Sequence, residues 1–234
     1  MDDISLKGGV LIIGSLLWEQ DKIRKNWRNN FLEEENKIKT KAPIRYGRIS
    51  GGRNCTFTMV FSEECNSEDM LGTAFFVPFR DNPVSLEALR KQSLELIKSE
   101  CKKDKSVFEI FNWSWGTLAL AINPDLLDKD PKKHKQLSEF WKKQCGEGLN
   151  PKQYKVGNEK PAVDEQGILS FNWTDELKDF DFLIATATKP EKEYPISKKI
   201  ADRIIVNEYS EYFIENVKAG ISTFQDKEIQ SFIE

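Results

Sequence analysis

Residues 9–18 read GVLIIGSLLW: an apolar run, Val10–Ile13, breaks off at Gly14-Ser15-Leu16 and resumes as Leu17-Trp18. A continuous run of branched apolar residues ended by glycine predicts a strand buried on both faces. Where such a strand ends, consecutive backbone N–H groups lose their ladder partners. Gly14 permits a positive φ, and a turn built that way forms a concavity suited to a carboxylate or a developing oxyanion. A plain strand-to-helix turn uses the same residues, so the segment carries two readings.

Working outward, Glu19–Leu32 places Ile23, Trp27 and Phe31 four apart, the spacing of an amphipathic helix. APIRYGRISGGRNCTFTMVFS (42–62) reads as strand, Gly-Gly turn, strand, and MLGTAFFVPF (70–79) as a strand stopped by Pro78. Ser85 caps a helix running to about Cys101. WSWGTLALAINPD (113–125) predicts one further strand, and Asp130-Pro131 opens a helix to about Gly146. Residues 147–166, rich in Gly, Pro, Lys and Asn, predict an irregular excursion. GILSFNW and DFDFLIATAT read as strands, and helices fill about 196–234, with Gly220 as a stop and Thr223/Asp226 resembling a capping box. Neighbouring strands come first and helices collect at the end. That order predicts an α+β fold in one domain, 1–234, with a mostly antiparallel or barrel-like sheet and the C-terminal helices packed on it.

The composition excludes several classes. The chain has 234 residues, 39% hydrophobic and 31% charged, which is a globular balance. No apolar run approaches the roughly 18 residues that cross a bilayer, so no membrane partner is expected. Two acids near the N-terminus replace the basic charge of a signal peptide, and a cytoplasmic location is the expectation. Net charge is −3, and the basic stretch DPKKHKQLSEFWKK reads as a solvated helix face, so no nucleic-acid partner is expected. Cys55, Cys65, Cys101 and Cys145 lie far apart without a CxxC pair, and His134 is the one histidine. Neither a metal site nor a cofactor motif is present in the sequence. Any catalysis then falls to carboxylates, arginines and backbone donors.

Two groups of residues answer that requirement. On the helix after Ser85, Leu86, Leu89, Ser93, Leu96, Ile97 and Cys101 share a face, and Glu100 falls within it. Glu95 lies opposite, among Lys91, Lys98 and Lys102. An inward carboxylate is costly unless paired, hydrogen-bonded or protonated, and such a group can serve as general base or acid. An inward salt bridge to an arginine, or fraying before Glu100, is the competing reading. Arg45, Arg48 and Arg53 sit in or beside one hairpin. Arg45 and Arg48, three apart, face opposite ways in a regular strand. One facing inward would bind a carboxylate bidentately, and a solvated sheet face is the alternative.

VLIIGSLLW resembles the N-terminal YGSL-type motif of the γ-glutamylcyclotransferase-like superfamily, nearest to the Gly-Ser-Leu-Ile-Trp form of its glutathione-degrading branch. LGTAFFVPF resembles the strand before that family's catalytic glutamate helix. PIRYGRIS…TFTMVFS, WGTLALAINP and YFIENVKAGISTFQD resemble segments of bacterial proteins with this fold. The resemblance implies a small β-barrel with flanking helices and a pocket at the Gly-Ser-Leu loop. It also implies cyclisation of a small γ-glutamyl compound to 5-oxoproline with release of an amine, without a cofactor. Carried over by position, Gly14, Ser15 and Leu16 become loop donors, Trp18 their flank and Glu100 the proton relay. Two departures stand out: Ile13 replaces the loop tyrosine, and counting from Gly72 reaches Gln92 and Ser93, so Glu100 follows from a looser alignment of LELIKSE. A small-molecule binding or regulatory module on the same fold is the alternative.

Overall fold

The strand read from the apolar run is β1 (Gly8–Ile12), and all five of its residues are buried. The computed structural model describes residues 4–101, 111–146, 149–206 and 210–234. The other strands are β2 (Ile38–Ala42), β3 (Ile44–Ser50), β4 (Thr56–Phe61), β5 (Gly72–Pro78), β6 (Asn112–Trp113), β7 (Gly116–Ile122) and β8 (Phe182–Thr188). Six of them form a mixed sheet in the order β2-β5-β1-β8-β7-β6. β1 lies inside it, antiparallel to β5 and parallel to β8, with Leu11 opposite Phe76 on one side and Ala185 on the other. A strand covered on both faces cannot alternate polar with apolar, which is why Val10–Ile13 is uniformly apolar.

β3 and β4 form a separate antiparallel ribbon. The ladders of the described residues do not close into a barrel; the fold is α+β with a six-stranded mixed sheet. The ribbon's register shifts between Tyr46 and Arg48. This bulge at Gly47 interrupts the regular pairing of β3 with β4. A Cβ on Gly47 would lie 2.5 Å from Val60 Cγ2 and 3.0 Å from the Tyr194 ring, so the bulge requires glycine.

The helices are α1 (Lys22–Phe31), α2 (Leu86–Cys101), α3 (Asp125–Lys129), α4 (Pro131–Cys145), α5 (Ser197–Val206), α6 (Glu211–Ala219) and α7 (Asp226–Ile233). Asp21 caps α1 by accepting from the Ile23 and Arg24 N–H groups. Asp130 caps α4 by accepting from Lys133 N–H at 2.9 Å, with Pro131 at the first position. Gly220 ends α6 at φ 81°, the left-handed stop expected of it. One apolar core runs through the sheet and helices, from Leu6 to Ile229.

Three expectations need correcting. WSWGTLALAINPD is two strands, because Ser114 and Trp115 turn the chain between β6 and β7. GILSFNW forms no named strand; Ile168 and Leu169 make only isolated bridges, to Leu120 and Val163. The buried face of α1 is Arg24, Trp27 and Arg28, while Ile23 is 41% exposed. Carbonyl and carboxylate acceptors cluster beside that helix, and they draw in the arginines that a hydrophobicity pattern assigns to solvent. The junction between α5 and α6 includes residues 207–209, which lie outside the described residues.

Candidate functional site

Ser15–Trp18 form one tight turn after β1, with Leu17 N–H donating to Gly14 O (3.1 Å) and Glu19 N–H to Ser15 O (2.9 Å). Among the described residues, the N–H groups of Gly14, Ser15 and Leu16 donate no backbone hydrogen bond outside helices and strands. These are the donors the sequence led us to expect. Gly14 does not use a positive φ, however. Its role is spatial: a Cβ there would lie 2.6 Å from the Tyr212 hydroxyl.

Two arginines of α1 shape the turn. Arg28, 2% exposed, donates to Leu16 O (2.6 Å) and Glu19 O (3.0 Å) and pairs with Glu34 at 3.0 Å. It thereby satisfies carbonyls that would otherwise be buried unpaired. Arg24, one turn earlier, donates to Ser15 Oγ (3.1 Å), to a Glu19 carboxylate oxygen, to Glu100 Oε2 (3.3 Å) and to Ser99 O (3.2 Å). Burial pulls the Arg24 pKa below its ordinary value and Glu100 opposes that pull. A guanidinium has so much margin that it stays charged.

From the other side comes Arg53, at the β3–β4 turn. It donates to Ser15 Oγ and to Glu19 Oε1, each at 2.5 Å. Ser15 Oγ thus accepts from two guanidinium groups, and its own proton is left to donate to a ligand. Glu19 bridges the same two arginines. Glu100 is 14% exposed and meets Arg24. The inward salt bridge is therefore the geometry of Glu100, and it brings the carboxylate beside the loop rather than away from it.

These groups line one cavity of about 460 Å³. The expected residues Gly14, Ser15, Leu16, Arg48, Arg53 and Glu100 line it; Trp18 and Arg45 do not. Trp18 stands behind the loop, its indole N–H donating to Asn216 Oδ1 at 2.8 Å. Arg45 pairs with Glu64 at 2.9 Å and lies over the Tyr194 ring at 4.0 Å. Glu95 pairs with Lys98 on the outer face of α2, as its position predicts. Among the described residues, no group of three or more His, Cys, Asp and Glu could hold a metal, and no helix is long and apolar enough to cross a membrane.

Sequence reasoning missed Glu19, Arg24, Trp115, Thr186 and Tyr212, all of which line the cavity. Arg24, Trp27 and Arg28 do stand at i, i+3 and i+4, so a stripe was present, but two of its three members are cationic. Tyr212 comes from α6, some 200 residues along the chain, and no local signal points to it. Burial pushes the Tyr212 pKa up, with Arg53 opposing, so its hydroxyl stays neutral beside Gly14. Comparison with protein-family models, with curated proteins and with solved structures finds no match.

Proposed function

We propose that the protein is a γ-glutamylcyclotransferase-like enzyme that converts a small γ-glutamyl compound to 5-oxoproline and a free amine. The observation that carries this reading is the convergence of Glu100 and the Gly14–Leu16 turn on one cavity, joined through Arg24, which touches both Ser15 and Glu100. The β3–β4 ribbon packs across β5 and β8, and residues of β1, β3, β4 and β8 wall the cavity.

The chemistry follows from these positions. An α-amine with a reference pKa of about 8 is mostly protonated at neutral pH and must lose a proton before it attacks. Glu100 accepts that proton. The free amine then attacks the γ-carbonyl carbon of the same molecule, forming the ring C–N bond. The carbonyl oxygen becomes an oxyanion within reach of the Ser15 and Leu16 N–H groups. Collapse breaks the original amide C–N bond as Glu100 returns its proton to the departing nitrogen. Glu100 then takes the second proton from the ring nitrogen and passes it to the released amine, which leaves as its ammonium. Arg53, beside Ser15, neutralises the substrate α-carboxylate. Ring closure is intramolecular, so a site that folds the substrate and donates to the oxyanion supplies most of what is needed.

Where the family pattern has a loop tyrosine, this chain has Ile13, and the Tyr212 hydroxyl from α6 sits against Gly14 instead. A hydroxyl is therefore present beside the turn from another part of the chain. The test is release of 5-oxoproline from a panel of γ-glutamyl amino acids and γ-glutamyl amines. Release by the wild type supports the reading. Binding of these compounds without release would favour the binding-module alternative.

A further inference from the structure

The arginines that line the cavity differ in their partners. Arg24 and Arg53 are matched, meeting Glu19 and Glu100. Arg48, on β3, is not. Its guanidinium carbon is 5.0 Å from the centroid of the Trp115 ring. Among the described residues, Arg48 has no ion-pair partner, and its side chain donates no hydrogen bond. Burial first and Arg53 second lower its pKa, while Glu100 and Glu191 oppose them from a distance, so the group is partly desolvated and no carboxylate pairs with it.

The hydroxyls around it separate into used and unused. Thr58 Oγ1 donates to Arg48 O at 3.2 Å, and Thr188 Oγ1 donates to Met59 O at 3.3 Å. Thr186, 7% exposed on β8 and also lining the cavity, has a buried Oγ1 with no hydrogen-bond partner. A buried hydroxyl is ordinarily paired, and an arginine taken from water ordinarily finds an acceptor. The same ligand group could satisfy both.

We propose that Arg48, held by Trp115, and the Thr186 hydroxyl form a carboxylate-binding subsite in the cavity. The guanidinium supplies paired N–H donors for the two carboxylate oxygens, and the threonine supplies one O–H. The indole holds the cation in place without consuming its hydrogen-bonding edges. The subsite stands on the cavity alone, and holds whether or not the turn performs cyclisation.

Calorimetric titration with glutarate, and with the neutral glutaramide of the same length, tests it. Glutarate is expected to bind the wild type and glutaramide to bind at least tenfold more weakly. Arg48→Gln should weaken glutarate by about ten- to hundredfold, the range for a hydrogen-bonded charge. Arg48→Lys should recover part of that loss, which a merely misfolded protein would not do, and Thr186→Val should weaken binding by a smaller factor. Saturable change in tryptophan emission on glutarate binding should disappear in Trp115→Phe. Equal glutarate affinity in wild type and Arg48→Gln would overturn the proposal, as would no glutarate binding by the wild type. Inorganic phosphate binding as tightly as glutarate, and lost with Arg48→Gln, would overturn the assignment to a carboxylate. Absence of 5-oxoproline release would count against the cyclisation reading and leave this result unaffected.

Discussion

The Tyr212 hydroxyl occupies the place where a side chain on Gly14 would begin, 2.6 Å from the ideal Cβ position. Tyr212 is buried in α6 and its oxygen accepts from Met59 N–H at 3.4 Å, so it is not free to swing aside. The turn after β1 and the helix near the C-terminus are thus fitted to each other at one atom.

Gly14→Ala should therefore destabilise the fold by about 1–3 kcal/mol, the usual cost of overpacking. Tyr212→Phe removes the hydroxyl, and in that background Gly14→Ala should cost less. A urea-denaturation double-mutant cycle should return a coupling of about 0.5–3 kcal/mol, as expected for groups in contact. Additive effects would mean that the two residues do not compete for the same space.

Arg28 is held by three acceptors while almost wholly buried. Replacing it with alanine strands Leu16 O and Glu19 O and unpairs Glu34. Loss of about 3–5 kcal/mol is expected, since removal of one partner leaves buried groups uncompensated. Arg28→Lys keeps the charge but cannot serve all the acceptors, and should fall between. Chemical denaturation checks both.

The legibility of the sequence varied with the range of the interactions. β1 and the cap of α4 follow from local patterns: a buried strand is uniformly apolar, and Asp130-Pro131 carries its own capping chemistry. The inward position of Glu100 was legible because the periodicity of α2 is local too. What the chain did not reveal locally was the partner of Glu100. Arg24 lies 76 positions away, and a pattern that sorts residues by hydrophobicity sends an arginine outward. Arg45 shows the same limit from the other side. Its contacts with Glu64 and Tyr194 hold it outside the cavity, and neither partner is encoded in the spacing of Arg45 and Arg48.

Asp226, at the start of α7, gives a prediction in pH. Burial raises its pKa from 3.8 to about 6, opposed by the Thr223 hydroxyl, which donates to it at 2.6 Å, and by Tyr46. A raised native pKa means that the folded state holds the proton more tightly than the unfolded chain. Stability from this group is thus full below about pH 4 and declines as pH rises toward 6, a difference on the order of 3 kcal/mol. Asp226→Asn has no charge to desolvate. It should be the more stable protein at pH 7.5, with the advantage vanishing as pH falls below about 4. Thermal melts of both proteins across pH 3.5–8 measure it, and parallel curves would contradict the account.

The most direct measurement is 5-oxoproline release by Glu100→Gln set against the wild type and Glu95→Gln, using whichever γ-glutamyl compound the wild type turns over. Glutamine keeps the shape at position 100 and removes the base. The account predicts a fall in kcat of about 10²- to 10⁴-fold, with substrate affinity largely retained. Glu95, ion-paired with Lys98 on the outer face of α2, should leave turnover unchanged. If Glu100→Gln turns over as fast as the wild type, Glu100 is not the proton relay and the proposed mechanism fails.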